Sequence, residues 1–207
     1  MEKAAQQAQS PPWSPELRRQ LVAWLSSPRE ASAELLGGQL AQKAMGKGEH
    51  GAAQGGVFGQ LLKLQGPSGA GTRWWLTQEV DIFVGGEGMR PDVAGWRVER
   101  YPEPPERVNV DNLLGVVVAA PDWVCEVLST STVTRDRGIK WKAYQRAGVE
   151  WYWLVDVLHH SLTVYRRTEK SYEVAEMMVD GDVARLPPFE DIEFEVHPLF
   201  LYRRKQP

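Results

Sequence analysis

Apolar residues change period several times along the chain. In "SPELRRQLVAWLSSP", Leu17, Leu21, Trp24 and Leu25 recur at helical spacing behind Ser14 and Pro15. This predicts a short amphipathic helix with a serine cap and a proline in its first turn. "AELLGGQLAQKAMG" predicts a strand that turns at Gly37-Gly38, and "GAAQGGVFGQLLKLQG" a helix from about Gln54. Glycines make that helix intrinsically poor, so packing must hold it. The middle of the chain alternates with period two. "RWWLTQEVDIFV" and "RPDVAGWRVER" read as strands around "GGEG", a four-residue hairpin loop. Val80, Ile82 and Val84 share one face, and Glu79, Asp81 and Phe83 the other. The prolines after residue 100, followed by "GVVVAA", predict a long loop or insertion.

"DWVCEVLS" and "EWYWLVDV" are near-continuous apolar runs, as expected of central strands covered on both faces. The segment between them predicts a helix from about Thr134 to Ala147, closed by Gly148. Strand, helix and strand in that order imply a right-handed parallel crossover. "SLTVYRR" and "SYEVAEMMV" alternate like a closing hairpin. The expected class is α/β: a mixed sheet flanked by helices, with extra β-hairpins.

Composition narrows this picture. The 207 residues are 43% hydrophobic, enough for one domain with a sizeable core. We expect a frayed segment over 1–13, a single domain over 14–200 and a basic tail over 201–207. The net charge of −3 leaves room only for a local nucleic-acid surface. One cysteine, Cys125, excludes an intrachain disulfide and fits a reducing cytoplasm. No signal peptide is legible, and no run of about 18 apolar residues exists to span a membrane. Nine tryptophans suggest core and subunit-contact surface, and so a homodimer.

Candidate chemistry centres on "WVCEVLSTSTVTRDRGIKWKAY". Alternation puts Val124, Glu126 and Leu128 on one strand face and Cys125 and Val127 on the other. A carboxylate there needs a cation partner or an open strand end. Asp136, Lys140 and Tyr144 share a helical stripe, with Ile139, Ala143 and Ala147 as the expected core stripe. By spacing alone Asp136–Lys140 reads equally as a surface ion pair. Residues 135–146 carry Arg135, Arg137, Lys140, Lys142 and Arg146 against Asp136. Asp92 follows Pro91 at a strand mouth, a position that also suits a turn aspartate. Asp81 is either a metal ligand or part of a solvated sheet face, and His50 either touches substrate or caps a helix. His159, His160 and Asp156 suit an exposed turn, and "YRRKQP" suits solubility or a phosphate contact.

"RPDV" followed by "PDWVCEVLSTSTVTRDRGIKWKAYQRAGVEWYWLVD" resembles the Uma-type restriction endonucleases of the PD-(D/E)xK nuclease superfamily. The resemblance runs from about Ala33 to Phe200. It includes Glu34 at the acidic position of the opening strand–turn and His50 near the next helix. It implies a restriction endonuclease-like fold with a four-stranded mixed core. It also implies a metal-dependent endonuclease acting on DNA. Asp92 and Glu126 would ligate magnesium or manganese, and Lys140 would assist catalysis. Glu34, His50 and Asp81 would be further site residues, and Arg135, Arg137 and Lys142 would contact nucleic acid. The superfamily's usual lysine position is Leu128 here, and Lys140 is the residue that matches on the helix. Without metal, Asp92 and Glu126 are expected to repel, leaving one protonated.

Overall fold

The computed structural model describes residues 13–28, 33–43, 48–65, 73–128 and 136–201. Three helices, α1 (Pro15–Leu25), α2 (Gly48–Leu61) and α3 (Trp141–Ala147), accompany two six-stranded sheets and a two-stranded ribbon. The first sheet runs β2 (Gln39–Gln42), β1 (Ala33–Leu36), β5 (Glu87–Met89), β4 (Ile82–Val84), β8 (Leu113–Val117) and β7 (Arg107–Val110). The central sheet runs β12 (Tyr172–Val179), β11 (Ser161–Arg167), β10 (Trp151–Asp156), β9 (Trp123–Leu128), β6 (Val93–Arg97) and β3 (Trp74–Gln78). Only β9 and β10 run parallel in that sheet, with Trp123 opposite Trp151 through Leu128 opposite Asp156. The ribbon pairs β13 (Val183–Ala184) with β14 (Phe194–Glu195). Among the described residues no helix is long and apolar enough to cross a membrane.

The layers follow from the sequence periods. α1 lays Leu21 and Trp24 on one face of the first sheet, against Leu35, Val110 and Val116. The other face of that sheet supplies Leu36, Ile82 and Val84 to a core shared with Val124, Leu128, Tyr144 and Tyr152. The far face of the central sheet, with Cys125, Val127 and Trp153, packs on α2 through Ala53, Val57 and Leu61. Glu126 thus belongs to the layer between the sheets. Six of the nine tryptophans are buried in these cores, so they serve the chain's own interior. That removes the aromatic surplus as a reason to expect a dimer.

The observed elements correct five expectations. The strand read over 73–84 divides between two sheets, because Glu79 takes a left-handed backbone (φ 50°) and turns the chain out of β3. The loop is Gly85-Gly86 alone, both at positive φ, as a tight two-residue hairpin requires; Glu87 already lies in β5. The expected proline-rich loop contains the β7–β8 hairpin, which is short enough to lack a clear alternating pattern. α2 starts at Gly48 rather than Gln54, and Gly56 lets Leu199 approach its backbone. The mixed core also has six strands rather than four.

Candidate active site

β6 and β9 pair antiparallel with Val93 opposite Cys125, so Asp92, the residue before β6, comes beside the Glu126–Val127 end of β9. Pro91 and the end of the ladder leave Asp92 at the strand mouth. Its side chain is buried, and every oxygen contact is internal. Oδ2 accepts from the Val127 amide at 2.7 Å and lies 3.2 Å from His50 Nε2. Oδ1 lies 2.7 Å from Lys43 Nζ. Burial alone would raise this carboxyl. The Lys43 ammonium, the hydrogen bond and charge from His50, and Lys140 outweigh it and hold Asp92 well below the ordinary carboxylate value. The expected repulsion therefore does not leave Asp92 protonated, because a second lysine neutralises it.

Glu126 receives its cation from the crossover. Lys140 Nζ lies 3.1 Å from both Glu126 oxygens and 2.9 Å from Glu34 Oε1, with all three side chains no more than 2% exposed. Lys140 is therefore buried rather than at the surface, and the side chain of Asp136 lies outside the described residues. Tyr144, one turn on, donates to Glu126 Oε1 at 2.6 Å. Burial, then the Glu126 charge, pushes the Tyr144 hydroxyl well above its ordinary value, so it stays a donor. Glu34 also accepts from the Arg90 amide at 3.0 Å.

The expected core stripe of this helix is partly wrong. Ala143 is buried, but Ile139 is 42% exposed and Ala147 half-buried. Residues Asp136–Lys140 form a π-turn, whose wider winding rotates Ile139 outward and Lys140 inward. Trp141 then anchors α3 edge-on against Tyr152, Tyr165 and Tyr172.

The remaining candidates divide. His50 joins the site at Asp92. Asp81 is buried and paired with Arg90 at 2.7 Å, so the solvated-face reading fails: Arg90 folds back over it. Lys142 is exposed; Arg135 lies outside the described residues, as does the side chain of Arg137. The terminal segments 1–12 and 202–207, and the turn containing Thr130, also lie outside them. His159 pairs with Asp156, which accepts from the Leu158 and His159 amides, as a turn former should. Cys125 is fully buried on the face away from Glu126, and burial raises its thiol. Lys43 is the residue that sequence reasoning missed. Its only local signal was a lone lysine after a strand.

The donor set has the chemistry of a hard divalent cation: carboxylate oxygens of Asp92, Glu126 and Glu34, with His50 beside them. Charge agrees. Four carboxylates, Glu34, Glu79, Asp92 and Glu126, gather here against two lysines, Lys43 and Lys140. As placed, no three His, Cys, Asp or Glu donors among the described residues converge to hold an ion, because ammonium groups face the oxygens.

The depressed Asp92 carboxyl predicts an acid-labile fold. Stability from such a group is fully present above its ordinary value of about 4 and is lost as pH falls toward the depressed one. Urea midpoints should therefore drop steeply below about pH 4. Asp92→Asn should flatten that slope; identical slopes in the two proteins would exclude the assignment.

Two stacked sheets, a parallel crossover and a buried cluster of carboxylates and lysines define an α/β protein of nuclease fold. The family model Uma2, described as "putative restriction endonuclease", matches residues 18–197, and the chain belongs to that family. Among solved structures it is similar to one from Anabaena variabilis ATCC 29413, described as "a putative nuclease belonging to DUF820". The two are 23% identical, with a TM-score of 0.65, over 87% of this chain and 96% of that one. No match was found among curated proteins.

Proposed function

We propose that the chain is a metal-dependent endonuclease that hydrolyses phosphodiester bonds in DNA, with residues 14–200 as its single catalytic domain. One observation carries this reading. Asp92, at the mouth of β6, accepts from the amide of Val127, the neighbour of Glu126 on β9, and Lys140 reaches Glu126 from the crossover. Asp92 and Glu126 would hold magnesium or manganese. When bound, such a cation polarises a phosphate oxygen and activates water. The chain's own residues do the rest. Val127 and His50 fix the Asp92 carboxylate, and Tyr144 fixes Glu126. Lys140 offsets the paired glutamates and stands ready to donate where charge builds on the phosphoryl group. Exposed Lys142, with Arg135 and Arg137, would meet the DNA backbone. Two copies acting together would cut both strands, in a reducing compartment compatible with the free Cys125.

Plasmid and single-stranded DNA incubated with magnesium or manganese should be cleaved by the wild type and not by Asp92→Ala or Glu126→Ala. Cleavage that survives both substitutions would remove the assignment. A second reading, a nuclease fold that binds nucleic acid or protein without cutting, has one observation in its favour. Both carboxylates already have ammonium partners, at 2.7 and 3.1 Å. Thermal stabilisation by millimolar magnesium that disappears in Glu126→Gln would count against it.

A further inference from the structure

Among the described residues, Lys43 stands at the one Asp92 oxygen that no backbone amide or histidine meets. Oδ2 is taken by the Val127 amide and His50, at 2.7 and 3.2 Å. Oδ1 faces Lys43 Nζ at 2.7 Å. An ammonium and a divalent cation cannot share that oxygen at contact distance without strong repulsion. Lys43 already has somewhere else to go. Its Nζ lies 3.3 and 3.4 Å from the two Glu79 oxygens and donates to the Arg90 carbonyl at 2.9 Å. Asp92 is 1% exposed and Glu79 44%, so the two carboxylates form an inner and an outer seat for one ammonium. Gln54 donates to the Glu79 carboxylate at 3.2 Å and to the Asp92 main-chain carbonyl at 2.9 Å, which holds the outer seat beside the Asp92 backbone. The left-handed backbone at Glu79 sets the outer carboxylate where the chain leaves the central sheet.

We infer that Lys43 is a tethered counter-ion, which holds the Asp92 carboxylate in place in the metal-free protein and moves to Glu79 when a divalent cation takes Oδ1. This rests on the metal-dependent reading above. The metal therefore competes with a residue of the chain, and its affinity is set partly by the outer seat.

Manganese titration calorimetry on the full chain tests it. Lys43→Met should bind Mn²⁺ about tenfold more tightly than wild type, because a competing unit charge is gone. Glu79→Gln should weaken binding severalfold with Lys43 present and have no effect in the Lys43→Met background. Equal or weaker binding by Lys43→Met, or an equal Glu79→Gln effect in both backgrounds, overturns the inference. Amine methylation of the wild type, read by mass spectrometry, decides the matter without any variant. Lys43 labelling should rise at saturating magnesium as the ammonium moves outward; unchanged or slower labelling overturns the inference. If Asp92→Asn binds Mn²⁺ as wild type does, the metal site itself is refuted. If only the Lys43 tests fail, the nuclease reading stands and the counter-ion role does not.

Discussion

Lys140→Met is expected to lower folding stability by about 3–5 kcal/mol and DNA cleavage by roughly a hundredfold or more. The reason is shared. Lys140 Nζ is the cation for both Glu126 and Glu34, and neither carboxylate is more than 2% exposed. Methionine fills a similar volume but leaves two buried negative charges facing each other. A buried pair broken on one side costs far more than the pair itself contributes, because the surviving charge is stranded. Removing the charge as well separates the two roles. Adding Glu126→Gln to Lys140→Met should recover a good part of the stability and none of the cleavage. Urea unfolding of the single and double variants measures the first and plasmid cleavage the second. A stability loss below about 1 kcal/mol for Lys140→Met would mean that the ammonium is not the charge partner of the two glutamates.

The second large effect is expected at Gly85. Its φ is +60°, and a Cβ there would lie 2.3 Å from the Ala143 carbonyl oxygen. Gly85→Ala therefore adds left-handed strain of about 1–2 kcal/mol. It also forces the hairpin of the first sheet away from α3, for a total near 2–4 kcal/mol. The contact cannot relax by rotamer change, since the backbone fixes the Cβ position and the atom it meets is a main-chain carbonyl. α3 follows Lys140 directly, and Arg146 ties it to the Gly85 carbonyl at 2.9 and 3.1 Å, so displacement there should also reduce cleavage. Gly86→Ala is the control. Gly86 is also left-handed, at φ +85°, but nothing lies within 4 Å of an added Cβ. It should show the strain without the displacement. Equal melting temperatures for the two variants would refute the close approach.

Some of the site was legible before any coordinates, and the reasons are local. Glu126 stands out because a carboxylate inside an apolar strand demands a partner. Lys140 and Tyr144 sit four residues apart on one helix, so they had to point the same way, and both reach Glu126. Asp92 and His50 carried little local signal and were placed by family resemblance. Lys43 was out of reach, because the residues it contacts are 36 to 49 positions away. The same holds for Arg90 closing over Asp81, and for Lys140 serving Glu34 across the gap between sheets.

By itself the sequence determined the alternation of faces, the two central strands with their crossover, the closing hairpin and the strand face that Glu126 shares with Val124 and Leu128. Each depends on a period of two or of about four residues, which backbone geometry imposes wherever the chain lies. Only the tertiary structure decided which charges meet. A strand splits at Glu79 into two sheets, a π-turn rotates Lys140 inward, and Lys43 reaches Asp92. These outcomes arise from packing between segments distant in sequence, where burying a charge leaves no choice but to bring another charge to it.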